Sequence, residues 1–309
     1  MPTGETGAKR YTDVERGVPD LVSVVIPVHN GVALIDDQLE ALAVQSYPRP
    51  FEVIIADNGS TDGLCEHLDG HRLADRLHLR WIDASARLGS AYARNAGVAA
   101  ANGDFIAFCD GDDRVYPDWL AELTAAAVRS SAVGGALETH TLNSAAVQSW
   151  RHMEPPEKPY EIHGFLQVSP SCNLGIWTDV FHDVGGFDVT YDRGGEDSDL
   201  TMRVQLAGGV LGYAPKALVA YRLRDTLSGI WAQSVMCGEG DARLYSDYRR
   251  YGMPQRPRGV LVAVTLYLIF RNPLLPKRLT RVPTGLWLFQ AGNLLGRFTG
   301  SVRHRCFYL

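Results

Sequence analysis

Runs of apolar residues alternate with polar breaks along the chain. Residues 21–28 (LVSVVIPV) are β-branched and nearly all apolar, the pattern of a strand buried on both faces of a parallel sheet. His29-Asn30-Gly31 breaks the run. Residues 32–46 then carry Leu34, Ile35, Leu39, Leu42 and Ala43 at amphipathic helical spacing, which stops before Pro48. Residues 51–56 (FEVIIA) predict a second strand that runs into Asp57-Asn58-Gly59-Ser60-Thr61-Asp62, with Ser60 or Thr61 placed to cap a short helix over 63–68. A third strand is predicted over 77–82, a small-residue helix over 89–101 with Arg94 and Asn95 embedded in it, and a buried strand over 105–109 (FIAFC). This βαβαβ-like series predicts a parallel, right-handed, doubly wound half. Further strands are predicted over 133–142 and 218–224, with a proline-rich, charged loop at 151–160 and a helix over 196–205. Two apolar stretches in the tail, 260–270 and 284–295, fall short of the roughly 20 residues that span a bilayer.

Charge changes the picture more than composition does. All 35 acidic residues lie in the first 247 positions with 19 of the 30 basic ones, a net of −16, while 248–309 holds eleven Lys and Arg and no acid. An acidic body joined to a basic tail predicts that the tail meets something anionic. The five cysteines are scattered without metal-site or CxxC spacing, which predicts a reduced, cytoplasmic setting. The first 20 residues contain no apolar segment and read as a loose leader rather than a signal peptide.

The strongest candidate chemistry lies where the strand at 105–109 stops in Asp110-Gly111-Asp112-Asp113. Ligands of open α/β sheets bind outside the carboxyl ends of the strands, so these carboxylates sit where substrate is expected. Their mutual repulsion calls for a hard divalent cation shared with phosphate oxygens, Mn2+ or Mg2+. An acidic surface turn is the plainer alternative. The first strand is followed by PVHNG instead of a glycine-rich GxGxxG turn, which disfavours a dinucleotide-dependent dehydrogenase. A second acidic group, Gly194-Gly195-Glu196-Asp197-Ser198-Asp199, opens a predicted helix, where acids also suit the helix dipole. His140, His152 and His163 are too separated to predict a ligand set.

Six segments in order, VSVVIPVHN (22–30), EVIIADNGSTD (52–62), ARNAG (93–97), GDFIAFCDGDD (103–113), NLGIWTDVFHDVGGFD (173–188) and GGEDSDLTMRVQLAGG (194–209), resemble the family 2 glycosyltransferases. The resemblance implies an α/β fold of GT-A type, a Rossmann-like mixed sheet flanked by helices, with a C-terminal helical extension. It implies a nucleotide half (21–115), an acceptor half (116–225) and an extension (226–309). Pro27 and the neighbouring Val28, His29 and Asn30 would then line the nucleotide pocket, Asp57 would bond the base, and Arg94 would help hold the nucleotide. Asp110 resembles the carboxylate near the ribose, Asp112 the metal-binding end of the DxD motif, and Asp110 shares the metal. Gly111 lies between them. Asp113 is a helix cap or a sugar contact. Asp197 resembles the general base, with Glu196 orienting acceptor or base. Arg222 and Arg224 are candidates for the diphosphate, or face solvent.

The implied reaction is single-sugar transfer from a nucleotide-diphosphate sugar, UDP-sugar favoured, to a saccharide or lipid-linked hydroxyl acceptor. The chain lacks the QxxRW motif and membrane spans that processive members share. A sugar nucleotidyltransferase is the competing enzyme reading, and a silent sugar-nucleotide or partner-binding module the competing non-enzyme one. The tail reads either as amphipathic helices on an anionic membrane surface at the inner face, or as helices packed on the catalytic domain or in a homodimer interface. A nucleic-acid partner is disfavoured, since the basic tail carries no recognised binding motif.

Overall fold

The computed structural model describes residues 15–162, 164–276, 280 and 282–309. Most of the predicted leader, His163, and Lys277, Arg278 and Arg281 of the basic tail lie outside the described residues.

The apolar runs become strands in the expected order: β1 (Val22–Val28), β2 (Phe51–Asp57), β3 (Leu79–Asp83) and β4 (Phe105–Cys109). Helices α1 (Ile35–Ala43), α2 (Leu64–Leu68), α3 (Ala74–Leu77) and α4 (Ser90–Ala100) connect them. β3, β2, β1 and β4 pair in parallel, so the predicted doubly wound half is present. β5 (Arg114–Val115), α5 (Trp119–Ala127), β6 (Ala132–Glu138) and α6 (Ala145–Gln148) follow. Next come the hairpin β7 (Tyr160–Glu161) and β8 (Gln167–Val168), then β9 (Asn173–Trp177) and α7 (Thr178–Asp183). α8 (Glu196–Leu206) and β10 (Leu211–Ala220) complete the sheet region.

The sheet has eight strands in the order β3-β2-β1-β4-β9-β6-β10-β5. It becomes mixed at β9, which runs antiparallel to both β4 and β6. Every residue of β4 and β9 is buried, as the absence of alternation in the sequence requires. Phe108, Phe181 and Phe187 pack with ring centroids 5.3 to 5.9 Å apart beneath the site.

Three elements follow: α9 (Leu227–Tyr248), α10 (Arg258–Phe270) and α11 (Thr284–Arg303). α9 falls in the expected helical extension (226–309) but was not read as an individual helix from the sequence pattern. It packs along α11 through glycines: a Cβ on Gly238 would overlap Asn293 O, and one on Gly296 would overlap Val235 O. α10 has no buried residue. Among the described residues no helix is long and apolar enough to cross a membrane.

Candidate active site

The polar residues that end β1, β2 and β4 meet at one edge of the sheet. Asn30 adopts a left-handed backbone (φ 54°), and its Oδ1 accepts the Thr61 N–H at 2.8 Å while its own N–H donates to Ser60 Oγ at 2.8 Å. Ser60 and Thr61 are thus engaged with the β1 loop. Neither caps α2, whose first turn follows Gly63 in a left-handed conformation without a side-chain cap, which corrects the predicted role. Gln38, buried on α1, donates to Asp110 O (3.2 Å) and accepts from Val115 N (2.9 Å), tying down both ends of the acidic turn. Gly111 packs closely there: a Cβ would come within 3.0 Å of Val28 Cγ2 and 3.3 Å of Ile35 Cδ1, so a larger residue would have to displace those side chains slightly.

A cleft of about 340 Å³ opens at this edge, lined among others by Pro27, Val28, Asn30, Arg94, Asp110, Gly111, Asp112 and Arg224. His29, within the 28–30 stretch expected there, also lines it, as do Gly31, Asn58 and Ser90, which were not singled out from the sequence as donor contacts. Asp57 is not among the lining residues. Its carboxylate accepts from Ser60 N (3.0 Å) and from Cys65 Sγ (3.4 Å), and it is Asn58 that reaches the wall.

Charges in the cleft are paired across its two halves. Arg94, nearly fully buried, donates from Nη2 to Asp110 Oδ1 at 2.7 Å and from Nη1 to Glu196 Oε1 at 3.5 Å. It therefore joins the two acidic groups rather than standing free for a nucleotide. Glu196 also accepts from Ser90 Oγ at 3.1 Å. Arg224 Nη1 lies 3.3 Å from Asp112 Oδ2, whereas Arg222 turns to the backbone: its N–H donates to Asp113 Oδ1 (2.7 Å) and its Nε to Asp112 O (2.8 Å). Asp113 is neither a helix cap nor a lining residue. It is a buried anchor for the end of β10, with Oδ2 unpartnered. Burial, then the neighbouring Asp110 and Asp112, push its carboxyl well above the usual range. Asp112 is raised by burial and Asp110, against the pull of Arg224.

Asp197 is the second residue of α8, whose start at Glu196 follows Gly194 and Gly195, both left-handed (φ 78° and 92°), which lets the helix start with its acids against the cleft. Its Oδ1 accepts the Ser198 N–H at 2.6 Å, and burial with the adjacent Glu196 raises its pKa to about 6. Asp197 and Glu196 line a second cavity of about 610 Å³ that shares Ser90, Arg94, Asp110 and Arg224 with the first. One carboxylate-rich side faces the first cleft, and one carboxylate of raised pKa faces the adjoining cavity.

For a divalent cation, the carboxyl oxygens of Asp110 and Asp112 are a hard donor set, and their crowding with a partnerless Asp113 oxygen is the kind of repulsion a cation relieves. Asp110, Asp113 and Cys172 offer ligand atoms within 4.8 Å of one another, as do Asp36, His67 and His71 away from the cleft. Asp112 falls outside both groups. In the second group His67 Nε2 lies 2.7 Å from Asp36 Oδ1. His140 pairs with Glu138 at the surface.

Comparison with known proteins yields a family match. The Glycosyl transferase family 2 pattern matches residues 23–178. The glycosyltransferase AglE of Haloferax volcanii is 34% identical over 201 residues, 62% of this chain and 64% of that protein. The pre-mycofactocin glycosyltransferase of Mycobacterium tuberculosis is 32% identical over 233 residues, 72% of this chain and 47% of that protein. The chain thus spans about half to two thirds of the length of these relatives. Among solved structures, the mannosyltransferase PcManGT of Pyrobaculum calidifontis, in complex with GDP-Man and Mn2+, superimposes with a TM-score of 0.59 at 17% identity, covering 91% of this chain and 87% of the other. Residues 1–349 of S. aureus TarS in complex with UDP give 0.53 at 19%, covering 93% of each chain. At these identities the likeness establishes the fold, GT-A with added C-terminal helices.

Proposed function

The chain belongs to glycosyl transferase family 2, and we propose that it moves a single sugar from a nucleotide-diphosphate sugar, UDP-sugar favoured, to a hydroxyl acceptor with inversion. The observation that carries this reading is the pair of acidic sites on adjoining cavities, joined by one buried arginine. Single displacement needs a base on the face of the sugar opposite the leaving diphosphate, so the two jobs require two separate carboxylate sites.

Asp197 is the base in this reading. With its pKa raised to about 6 it is ionised at neutral pH, yet holds a proton more readily than an ordinary carboxylate, which suits removal of a hydroxyl proton. Arg94 and Ser90 fix Glu196 beside it, so Glu196 serves to orient. Asp110 and Asp112 would hold Mn2+ or Mg2+, which when bound neutralises charge developing on the diphosphate. Arg224, rather than Arg222, reaches the diphosphate, because Arg224 lines the cleft while Arg222 is committed to backbone and Asp113. The nucleotide meets Pro27, Val28 and Asn30, with Asn58 in the place expected of Asp57.

The extension is read as a membrane-surface contact. Val262, Leu266, Ile269, Phe270 and Leu274 are exposed on and just after α10, and Leu295, Phe298 and Val302 on α11, in a segment without acidic residues. Arg297 and Arg303 of α11 pair with Asp241 and Glu239 of α9, and apolar side chains in the remaining basic stretch fit an anionic lipid surface, which would bring a lipid-linked acceptor to the cleft.

The test is a panel of UDP-, GDP- and dTDP-sugars incubated with Mn2+, read by thermal shift and by release of nucleoside diphosphate. Metal-dependent stabilisation and turnover of one donor are expected; a metal-dependent shift for none of them would contradict the reading.

A further inference from the structure

The cavity beside Asp197 contains a positive charge that nothing in the proposed chemistry uses. Arg151, from the proline-rich loop, places its guanidinium over the rings of Tyr221 and Phe289, 6.0 and 5.7 Å from their centroids. Among the described residues, the groups that face it most strongly are the Tyr221 and Tyr160 hydroxyls and the Cys237 thiol, with no carboxylate paired to it. The other arginines of the cavity differ: Arg94 is held by Asp110 and Glu196, and Arg224 by Asp112. Asp241, which also lines the cavity, is taken by Arg297 at 3.2 Å. A guanidinium withdrawn from water without a counter-ion is costly, and aromatic faces recover only part of that cost.

Two further lining groups are unsatisfied. Tyr160 OH and Gln233 Oε1 are buried with no hydrogen-bond partner, although Gln233 Nε2 reaches Tyr221 OH at 3.4 Å. Buried polar atoms left open in this way are ordinarily completed by a ligand or water. Arg151 and Tyr160 present donors, and Gln233 Oε1 presents an acceptor.

We propose that Arg151, Tyr160 and Gln233 form the acceptor subsite and that the acceptor carries an oxyanion, received by Arg151 and Tyr160, next to a hydroxyl received by Gln233 Oε1. The inference rests on the glycosyltransferase reading, because it is Asp197 on the shared wall that makes this cavity the acceptor side. The oxyanion is a carboxylate of a sugar acid or the phosphate of a sugar phosphate; both match a guanidinium fork.

The test uses ligand-observed NMR titrations of the full chain with three probes: methyl β-glucoside, methyl β-glucuronide and glucose 6-phosphate. The anionic probes should bind about 10- to 100-fold more tightly than the neutral one, the range of a charge-assisted hydrogen bond. The tighter of the two identifies the source of the oxyanion. R151M should bring the ratio close to one, R151K should retain part of it, and Q233L should weaken all three probes while keeping the ratio. If R151M does not fold, as judged by thermal unfolding, R151K and Q233L carry the comparison. Equal binding of neutral and anionic probes, no binding of any, or a ratio that survives R151M overturns the inference. Donor turnover with a neutral preference would overturn the subsite alone, whereas an anion preference with no donor binding would overturn the transferase reading.

Discussion

Asp197→Asn should make the protein more stable and less active at once. The carboxyl moves from an ordinary 3.8 to about 6 on folding, chiefly through burial and then through Glu196. A group raised in this direction binds its proton more tightly in the folded chain than in the unfolded one. Its contribution to stability is therefore fully present below pH 3.8 and is lost as pH rises through about 6. Two units at 1.36 kcal/mol each put that loss at about 3 kcal/mol by pH 7.5. An asparagine stays neutral, and its side-chain oxygen can still accept the Ser198 N–H. The variant should gain up to about 3 kcal/mol in urea unfolding at pH 7.5, and the gain should shrink as pH falls through the 6 to 3.8 window. Loss of the proposed base should lower turnover about 10²- to 10⁴-fold. In the wild type, kcat/KM should rise with pH and level off above about 6. A variant less stable than wild type at pH 7.5, or one with unchanged turnover, would refute the reasoning.

Asp112→Ala should abolish metal-dependent nucleotide-sugar binding in calorimetry, and an unchanged affinity would remove Asp112 from the donor site. Arg94→Met leaves the Asp110 and Glu196 carboxylates without their shared counter-charge. Breaking such a buried pair costs about 3–5 kcal/mol, so the urea midpoint should fall, and an unmoved midpoint contradicts the assigned pairing. Phe270→Glu, at a side chain 66% exposed, should reduce sedimentation with phosphatidylserine vesicles and leave the melting temperature unchanged. Equal sedimentation of wild type and variant would count against the membrane contact.

What could be read from the chain depended on the kind of force each element uses. β1, β2 and β4 are buried on both faces and so appear as unbroken apolar runs, and the cleft opens at their polar endings, although Asp57 at the end of β2 does not line it. The acids that open α8 were legible for the same reason: two glycines and a cluster of carboxylates interrupt the apolar pattern. α9 was not legible, because its buried positions include Ser234, Gly238, Glu239 and Gly240. It packs by close backbone approach to α11, which leaves no apolar stripe in the sequence. Roles that depend on where a side chain turns were also hidden. Asp57 bonds within its own loop, Asn58 faces the cleft, and Arg94 spans two acids 86 positions apart in sequence, Asp110 and Glu196. Arg151 lies in a loop with no periodicity, and only the fold brings it beside α9 and α11.

The most direct measurement is the anomeric configuration of the sugar released when the enzyme, with Mg2+, hydrolyses an α-linked nucleotide sugar, followed by proton NMR before mutarotation. Attack from the face that Asp197 serves, opposite the leaving diphosphate, predicts the β anomer first, together with nucleoside diphosphate. Initial release of the α anomer would contradict single displacement and the role given to Asp197.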